Sequence, residues 1–520
     1  AKNSAWFRFT TKNQKLRTFG AYPNTNPWGV TFTRWGHHIA SHPIFASAFH
    51  ATNPPYPKQH PRANGIPAYS GVAGHEFIDF PNWPEEFQGK MVKARYKPTN
   101  RIELLDWTEQ SDHFAENHEA DLIFSTNLSF IPTDLRFGPD GGLYVCDWYN
   151  PVKGHAQYSL RDPRRDRKSG RIWRITPKAG ILANPPKIAG QPIPALLELL
   201  ERPEYRIRYW VKRELRTHPA EEIKPALDHW LANLDPDAPE LRHHQLEALW
   251  LYHSIGHANH PLLAELAGSA HHLARAAATA QLRHGDPGSL LSTLATDKSA
   301  LVRMEAAIAA SYIGTTAALD AVVSTIDTAG TTHLAYATAT ALGSEKLSRH
   351  WQKPDHPDRD TISAFLSTYT KKTKPAPTAR DHRQVAFDAQ KNLRKIRISC
   401  IPERLLFDKT RFVVTAGQPV RLTLKNPDAT QHNLVITLPG AADEIGLAGN
   451  EMAKSPAGIT KHFIPDSDKI LHHTKLLDPD TSETIRFNAP TEPGDYPYVC
   501  TFPGHWILMR GTMHVKPAEN

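Results

Sequence analysis

A chain of 520 residues exceeds what one hydrophobic core usually supports, so we expect about three domains. The hydrophobic share of 40% with 22% charged residues is typical of globular protein, and no window approaches the roughly 18 unbroken apolar residues that predict a transmembrane helix. Lys and Arg outnumber Asp and Glu by 61 to 53, an excess spread too thinly to indicate a nucleic-acid partner.

The cysteines and the first residues limit the class further. Only three cysteines occur, Cys146, Cys400 and Cys500, and because they are few and far apart they cannot form a disulfide framework. The chain begins at Ala1 without an initiator Met, a basic region or an apolar signal-like segment. We therefore expect a processed mature form or a fragment of a longer protein, with the N-terminal part truncated.

Residues 1–185 are predicted to be β structure, with short apolar stretches separated by Gly, Pro, Asn and Asp. A weak repeat places a strand, a glycine turn and a second strand at Val30–Ile39 and again at Leu135–Tyr144, 105 residues apart. A further hairpin is predicted from Met91–Tyr96 and Ile102–Leu105. The offset equals about two blades of roughly 40–50 residues each, and a ring needs about four to eight blades, so we expect a partial β-propeller.

From 190 to 345 the pattern changes to paired helices, with apolar residues at i, i+3 and i+4. Arg275 and Arg303 begin similar helices 28 residues apart. A period of roughly thirty residues in paired helices predicts an α-solenoid of the HEAT kind, and an ordinary helical bundle is the alternative. Residues 346–395 are polar and rich in proline, which predicts a linker.

After residue 396 the apolar pattern returns to a period of two, which predicts a small antiparallel β-sandwich or barrel over residues 396–520. The predicted strands are Arg411–Val414, Val420–Lys425, Asn433–Thr437, Thr484–Phe487 and Thr512–Val515.

The last strand–loop–strand unit carries Cys500, His505 and Met509 in the spacing C-x4-H-x3-M. A thiolate, an imidazole and a thioether on one compact loop can surround a single ion, and two His and one Cys with a weak axial Met are the ligands of blue copper. His432 supplies the second imidazole, because it begins a strand that can lie beside the one delivering Cys500. Zinc sites favour several cysteines or histidines. Each residue alone has an ordinary structural interpretation, but together they predict a type 1 copper site.

Around these ligands the sequence resembles the azurin and auracyanin branch of the cupredoxins, most closely at Cys500–His505 and Met509–Met513. The resemblance covers about residues 396–517. It implies a Greek-key β-sandwich with one copper, near which the backbone carbonyl of Gln431 could lie. Azurins carry a disulfide near the start of the domain, whereas Cys400 has no partner cysteine here, which would leave that edge looser. Four other histidines are not expected to be ligands: His462, His472, His473 and His514.

The resemblance also concerns partners and location. In cupredoxins the ring edge corresponding to His505 reaches the surface within an apolar patch, so electrons would pass there, with Trp506 as part of the contact. A redox partner protein, such as a cytochrome or another electron acceptor, would dock on this patch. Blue copper domains usually work outside the cytoplasm, which implies a periplasmic, secreted or cell-surface location.

In the front half, Pro132–Pro151 and Gly170–Ile175 resemble the propeller of a bacterial family typical of planctomycetes, whose members are called membrane-bound dehydrogenases. That family joins a propeller similar to quinoprotein sugar dehydrogenases to HEAT-like repeats and then to a redox module. The resemblance spans most of residues 20–345. Because no C-x-x-C-H occurs, no heme is expected, and the copper domain takes the place of the electron acceptor.

A quinone cofactor in an intact propeller would carry acidic groups that an arginine cluster could bind by bidentate hydrogen bonds. Arg161, Arg164 and Arg165 are the weak candidates for that role, with His155 as a candidate base. The alternative is a solvated charged loop between strands. Asp147, which follows a strand, could equally cap a turn.

The sequence thus predicts copper-dependent single-electron transfer, with electrons accepted from a dehydrogenase-like propeller that acts on sugars or alcohols. The alternative is a non-catalytic scaffold whose propeller and solenoid carry a copper relay. Copper storage or trafficking is disfavoured because a mixed His, Cys and Met site suits redox cycling better than ion transfer.

Overall fold

The computed structural model describes residues 4–10, 14–22, 29–41, 74–95, 100–127, 129–150, 163, 165–178, 182–285, 288–328, 333–370, 382–402, 404–428, 430–455, 457–478 and 481–518. Its strands are β1 (Ser4–Thr10), β2 (Lys15–Tyr22), β3 (Gly29–Phe32), β4 (His38–Ser41), β5 (His75–Phe77), β6 (Met91–Arg95), β7 (Arg101–Glu109), β8 (Phe114–Phe124), β9 (Pro132–Phe137), β10 (Leu143–Asp147), β11 (Arg171–Ile175), β12 (Arg394–Ser399), β13 (Arg411–Thr415), β14 (Pro419–Asn426), β15 (Val435–Thr437), β16 (Ile470–His473), β17 (Thr481–Asn488), β18 (Gly494–Val499) and β19 (Arg510–Lys516).

The α-helices occupy mainly the middle of the chain. They are α1 (Ile193–Glu198), α2 (Tyr205–Leu215), α3 (Ala220–Ala232), α4 (Leu241–Ser254), α5 (His260–Ala267), α6 (His272–Gln281), α7 (Leu290–Ala295), α8 (Ala300–Ile313), α9 (Thr316–Val323), α10 (His333–Leu342), α11 (Glu345–Trp351), α12 (Arg359–Thr370), α13 (His382–Asp388), α14 (Ala442–Glu451) and α15 (Ala457–Thr460). None of the described helices combines the length and apolar character needed to cross a membrane.

The front strands form antiparallel sheets. Strands β5 to β8 make a four-stranded sheet in chain order, β9 to β11 make a three-stranded sheet, and β1–β2 and β3–β4 are separate pairs. Val92 and Leu104 from the first sheet and Leu135 and Val145 from the second are buried in one core. Both sheets therefore exclude water from a shared apolar layer, which stabilises their packing.

The predicted front hairpin is confirmed, because β6 pairs with β7 with Met91 opposite Leu105. The two copies of the weak repeat also fold as predicted, as the pairs β3–β4 and β9–β10. Gly36 and Gly141 at their turns hold φ at +81° and +73°, in the left-handed region that favours glycine. In the part of the chain that the structure describes, these sheets do not close into a ring, so the propeller stays a prediction.

The helices of the middle region pack on one continuous apolar core. Ala276 to Ala278 on α6 and Ala306 to Ala310 on α8 are almost completely buried. The alanine side chains among these positions let neighbouring helices approach closely.

Three arginines make the same contact at different places in the helical region. Arg208, Arg275 and Arg303 each donate hydrogen bonds from Nη1 to the carbonyls five and six residues earlier in the chain. The same bond at the start of three helices satisfies carbonyls in the preceding turn in the same way. This recurrence supports a helical repeat; the HEAT type stays a prediction.

Residues 346–395 differ from the predicted linker. Helix α11 begins one residue before this range and extends into it, and α12 lies within it. Ile362 is fully buried against the helical core, with Phe365 and Leu366 partly buried beside it. These apolar residues recur at helical spacing, and their burial outweighs the proline signals at 354 and 357, which mark a turn. Helix α13 follows, and residues 371–381 lie outside the described ranges.

The C-terminal strands form two sheets, one in the order β12-β14-β17 and the other in the order β13-β19-β18-β15-β16. On β14, Val420, Leu422 and Leu424 are completely buried, and the residues between them face outward. The predicted two-layer sandwich is confirmed. It is not purely antiparallel, because β12 runs parallel to β14 and β13 runs parallel to β19.

Candidate metal centre

Two neighbouring strands bring the predicted ligands together. Strand β15 pairs antiparallel with β18, with Val435 opposite Val499. His432 lies just before β15, where its backbone N–H and carbonyl both bond to Leu477. Cys500 follows β18 directly. Because adjacent strands lie about 4.8 Å apart, side chains at these two positions are within reach of one metal ion.

The loop from Cys500 to Met509 closes through backbone hydrogen bonds. The amide of Cys500 donates to the carbonyl of Met509 at 2.9 Å, and the amide of Met509 donates to the carbonyl of His505 at 2.9 Å. Gly504 holds φ at +87°, which favours glycine, and its amide donates to Oδ1 of Asn450 at 2.8 Å. The loop therefore turns His505 back towards Cys500.

Three donor atoms form a closed triangle. Sγ of Cys500 lies 3.8 Å from Nδ1 of His432 and 3.7 Å from Nδ1 of His505, and the two nitrogens are 3.2 Å apart. Each of the three residues is at most 1% exposed. Metal bonds of about 2.0 Å to nitrogen and about 2.3 Å to sulfur put such donors roughly 3.3–3.7 Å from one another, so one ion fits among them.

Asn433 joins the two sides of the centre. Its Oδ1 accepts from the amide of Thr501 at 2.8 Å, and its Nδ2 donates to the Thr501 hydroxyl at 2.8 Å and to the carbonyl of His462 at 2.9 Å. Asn433 and Thr501 directly follow His432 and Cys500, and both are completely buried. These bonds fix the two ligand-bearing segments relative to each other.

A carboxylate fixes the first imidazole. Nε2 of His432 lies 2.8 Å from Oδ2 of Asp428, and both side chains are buried. A histidine that binds a metal through one nitrogen commonly donates from the other to a carboxylate, which sets the ring orientation. Asp428 therefore prepares Nδ1 of His432 to face the ion.

The sulfur of Cys500 is completely buried. Burial raises the pKa of the Cys500 thiol to about 12, and the backbone N–H groups of Asn433 and Phe502 oppose this by lowering the pKa. Those N–H groups are arranged to stabilise a negative sulfur. A bound cation would lower the pKa of the Cys500 thiol further, because a thiol that coordinates a metal is deprotonated.

The fourth predicted ligand, Met509, is completely buried at the end of the loop and belongs to the same core cluster as Cys500. Gln431 precedes His432, and its side chain donates to Asp478 at 2.7 Å. The axial contact of Met509 and the weak contact of the Gln431 carbonyl stay predictions.

The other histidines of the domain lie elsewhere, as expected. His472 stacks on Phe487 with ring centroids 4.2 Å apart, and His514 contacts Asp495 at 2.6 Å. His462 contributes its backbone carbonyl to Asn433, and His473 contacts the carbonyl of Thr474. None of them belongs to the triangle of donors in the described part of the chain.

The surface beside the centre differs from expectation. His505 is only 1% exposed, so the prediction that its ring edge reaches the surface is wrong for this structure. Helix α14 packs on the loop, with Gly446 so close to Trp506 that there is no room for a Cβ. The guanidinium of Arg510 lies over the Trp506 ring at 5.3 Å. The exposed apolar side chain of the loop is Ile507, at 48%.

Of the four candidate cofactor-binding or catalytic residues in the front half, the structure describes one. His155, Arg161 and Arg164 lie outside the described residues. Arg165 is placed over the ring of Trp148 at 4.8 Å. Its part in a cofactor clamp therefore stays a prediction.

The capping role of Asp147 is confirmed. Its Oδ1 accepts from the amides of Ile131 and Tyr149, and its Oδ2 accepts from the indole of Trp173 at 3.0 Å. One buried carboxylate thereby satisfies three donors at the end of β10, which is a structural use of the side chain.

Two supporting residues of the centre were missed in the sequence. Asp428 lies four positions before His432, a spacing without meaning outside a helix, and Asn433 resembles any polar residue at a strand start. The only available signal was their proximity to His432. Their roles depend on the turn after β14, which the sequence pattern does not specify.

Comparison with known proteins agrees with this geometry. Residues 395–516 match the family described as copper binding proteins, plastocyanin/azurin family, and residues 39–179 match a family described as a domain of unknown function, DUF7133. The chain is 35% identical over 123 residues to auracyanin-A of Chloroflexus aurantiacus, covering 23% of this chain and 74% of that protein. It is 34% identical over 125 residues to auracyanin-B of the same bacterium, covering 24% of this chain and about half, 52%, of that protein.

A crystal structure of reduced auracyanin from Roseiflexus castenholzii is 37% identical, covers 24% of this chain and 97% of that chain, and aligns with a TM-score of 0.22. The match to the copper-binding family covers the C-terminal sandwich, which also contains the donor triangle. Through residues 395–516, the chain belongs to the plastocyanin/azurin family of copper-binding proteins.

Proposed function

We propose that this chain transfers single electrons through a type 1 copper site, with His432, Cys500 and His505 as strong ligands and Met509 as the weak axial ligand. The observation that carries this proposal is the triangle of three buried donor atoms 3.2–3.8 Å apart. A copper ion bound by such donors gains and loses one electron between Cu(II) and Cu(I).

For electron transfer, the protein supplies donor atoms that are held in fixed positions and buried away from water. The bonds from Asn433 to Thr501 hold the two ligand segments together, and the burial of all three donors excludes water. A site that moves little between the two copper states needs little reorganisation for each electron transferred. The same features are unnecessary for a site that must release its ion.

Electrons would pass between the site and a partner protein through the face beside His505. Leu447 on α14, which follows Gly446, and Ile507 on the loop, which follows Trp506, are both about half exposed. We propose this apolar face as the docking surface for a cytochrome or another electron acceptor, with the Trp506 ring between the partner and the buried imidazole. Exchange outside the cytoplasm, in the periplasm or at the cell surface, would match this role, and fractionation of cells would test that location.

Voltammetry tests the proposed electron transfer. Protein loaded with Cu(II) should give one reversible one-electron wave. The zinc-loaded protein is the control and should give none, because Zn²⁺ has no redox chemistry. Bound copper without a reversible wave would contradict the proposal.

For the front half, we propose a dehydrogenase-like donor of electrons. A cavity of about 310 Å³ lies where the front sheets meet the helices, with Trp35, Phe77 and Trp107 among its lining residues. Asp79 lines the same cavity and accepts from the amide of Tyr205 at 2.7 Å. Burial raises the pKa of Asp79 to about 7, so it can take or give a proton near neutral pH.

The test is turnover of sugars or alcohols with an artificial electron acceptor. Substrate should bleach the blue copper protein when no acceptor is present, and Asp79→Asn should slow this step while leaving the copper site blue. Absence of turnover would favour the scaffold alternative, in which propeller and solenoid surfaces bind a redox partner.

A further inference from the structure

A second group of metal-binding side chains lies far along the chain from the copper ligands. Asp112 and His113 form the tip of the hairpin between β7 and β8, and they meet His333, the first residue of α10. One carboxylate oxygen and one nitrogen from each imidazole lie within 4.8 Å of one another. Asp112 and His333 are 1% and 3% exposed, so the group is enclosed rather than a feature of the surface.

The carboxylate is oriented from both sides. Its Oδ2 accepts the backbone N–H of Leu334 at 2.9 Å, and its Oδ1 lies 2.7 Å from Nδ1 of His113. The rings of His113 and His333 are perpendicular, with centroids 4.9 Å apart. One oxygen thus caps the helix while the other faces the imidazoles, which is how neighbouring hydrogen bonds orient a metal-binding carboxylate.

We propose that Asp112, His113 and His333 bind one divalent transition-metal ion of the zinc type. Imidazole nitrogen and carboxylate oxygen are donors that Zn²⁺ accepts, and three protein ligands leave a position for water. The group has no sulfur donor, so it is suited to zinc rather than to blue copper. The side chain of His113 is 13% exposed, which gives an ion a path from solvent.

The ion would join two parts of the molecule. The hairpin belongs to the front sheet and α10 belongs to the helical region, and the contacting residues Asp112 and Leu334 are 222 positions apart in the chain. An ion that binds only the folded arrangement stabilises it by mass action. The site therefore clamps the front sheets to the helices.

A comparable group, Glu103, His118 and Asp121, is a weaker choice for a cation. The guanidinium of Arg101 lies 2.6 Å from Glu103 and 3.4 Å from Asp121. Arg95 contacts Glu103 as well, at 2.8 Å. These two positive charges already neutralise the carboxylates, and they would repel a metal ion.

The test measures how much copper and zinc the full chain binds. Protein loaded with one equivalent of copper is incubated with Zn²⁺, desalted and analysed for both metals. We expect one equivalent of zinc beyond the copper. His113→Gln and Asp112→Asn should each lose it while keeping the copper and its colour. The control His118→Gln removes the ligand of the other group and should keep the zinc.

A second measurement requires no variant. Addition of Zn²⁺ to the copper-loaded wild type should raise the midpoint of thermal unfolding of the front and helical parts, and a chelator should reverse this. The proposal is overturned if wild type retains no zinc beyond copper, if the midpoint does not move, or if His118→Gln rather than His113→Gln loses the ion.

Discussion

The carboxylate of Asp428 lies 2.8 Å from Nε2 of His432, on the opposite side of the ring from the nitrogen that faces Cys500. Both side chains are at most 4% exposed. Because Nε2–H donates to the carboxylate, Nδ1 keeps its lone pair for the metal. The pair thus sets both the tautomer of His432 and a negative charge close to the donor triangle.

Replacement of Asp428 by Asn should raise the reduction potential of the copper, because the negative charge stabilises Cu(II) more than Cu(I). It should also lower Cu(II) affinity by roughly 10–100-fold. Voltammetry and competition with a chelator measure the two effects. Asp478→Asn is the matched control, since the Asp478 carboxylate accepts from the side chain of Gln431 and not from a histidine of the donor triangle. Equal potentials in wild type and Asp428→Asn would contradict this assignment.

Asn433→Ala should loosen the copper centre. The substitution removes the hydrogen bonds of Asn433 to Thr501 and His462. The buried amide and hydroxyl of Thr501 and the carbonyl of His462 then lose these hydrogen-bond partners. We expect the free energy of unfolding to fall by about 2–4 kcal/mol, with a broader copper absorption band. Denaturant unfolding followed at that band measures both. Thr484→Val, which breaks the Thr423–Thr484 contact on the other sheet, should leave the band unchanged.

Met509 should tune the potential without controlling occupancy. Met509→Gln offers a stronger oxygen donor to Cu(II), so the protein should still bind copper while its potential falls. Met509→Leu removes the donor, and the potential should rise. If both variants keep the wild-type potential, Met509 is a core residue and not a ligand.

The helical region should lose stability in acid through His243. Burial lowers the pKa of His243 to about 3, and the positive charges of Arg208 and Arg34 lower it further. The carboxylate of Glu247 and the hydrogen bond to the Arg34 carbonyl offset this only in part. The folded pKa lies below the unfolded value of about 6.5, so stability is present above pH 6.5 and is lost as pH falls towards 3.

His243→Gln isolates this contribution, because glutamine can still donate to the Arg34 carbonyl that His243 contacts at 3.0 Å. The difference in unfolding free energy between wild type and His243→Gln should change by about 2 kcal/mol between pH 7.5 and pH 5. Denaturant titrations at the two pH values measure it. A constant difference would show that His243 is not buried in the neutral form.

The sequence was most informative where a local pattern decides the structure. The period of two over Val420–Lys425 predicted β14, and the spacing from Cys500 to Met509 predicted the loop that meets His432. Both depend on neighbours along the chain or on one adjacent strand. Three-dimensional packing decided the rest, such as the burial of Ile362 in a segment that prolines had marked as a linker.

Local sequence pattern predicted neither the burial of His505 nor the group of Asp112, His113 and His333. The first depends on Gly446 allowing α14 to approach Trp506, and the second joins residues more than 200 positions apart. Neither has a spacing that could be recognised in one sequence. Contacts of this kind become visible only when the chain is folded.

Visible absorption of the copper-loaded protein tests the central assignment most directly, with the two buried cysteines as a matched pair. Wild type and Cys400→Ser should both show the intense blue band of copper bound to a thiolate, and Cys500→Ser should be colourless. A colourless wild type that contains copper, or a blue Cys500→Ser protein, would contradict the type 1 copper site.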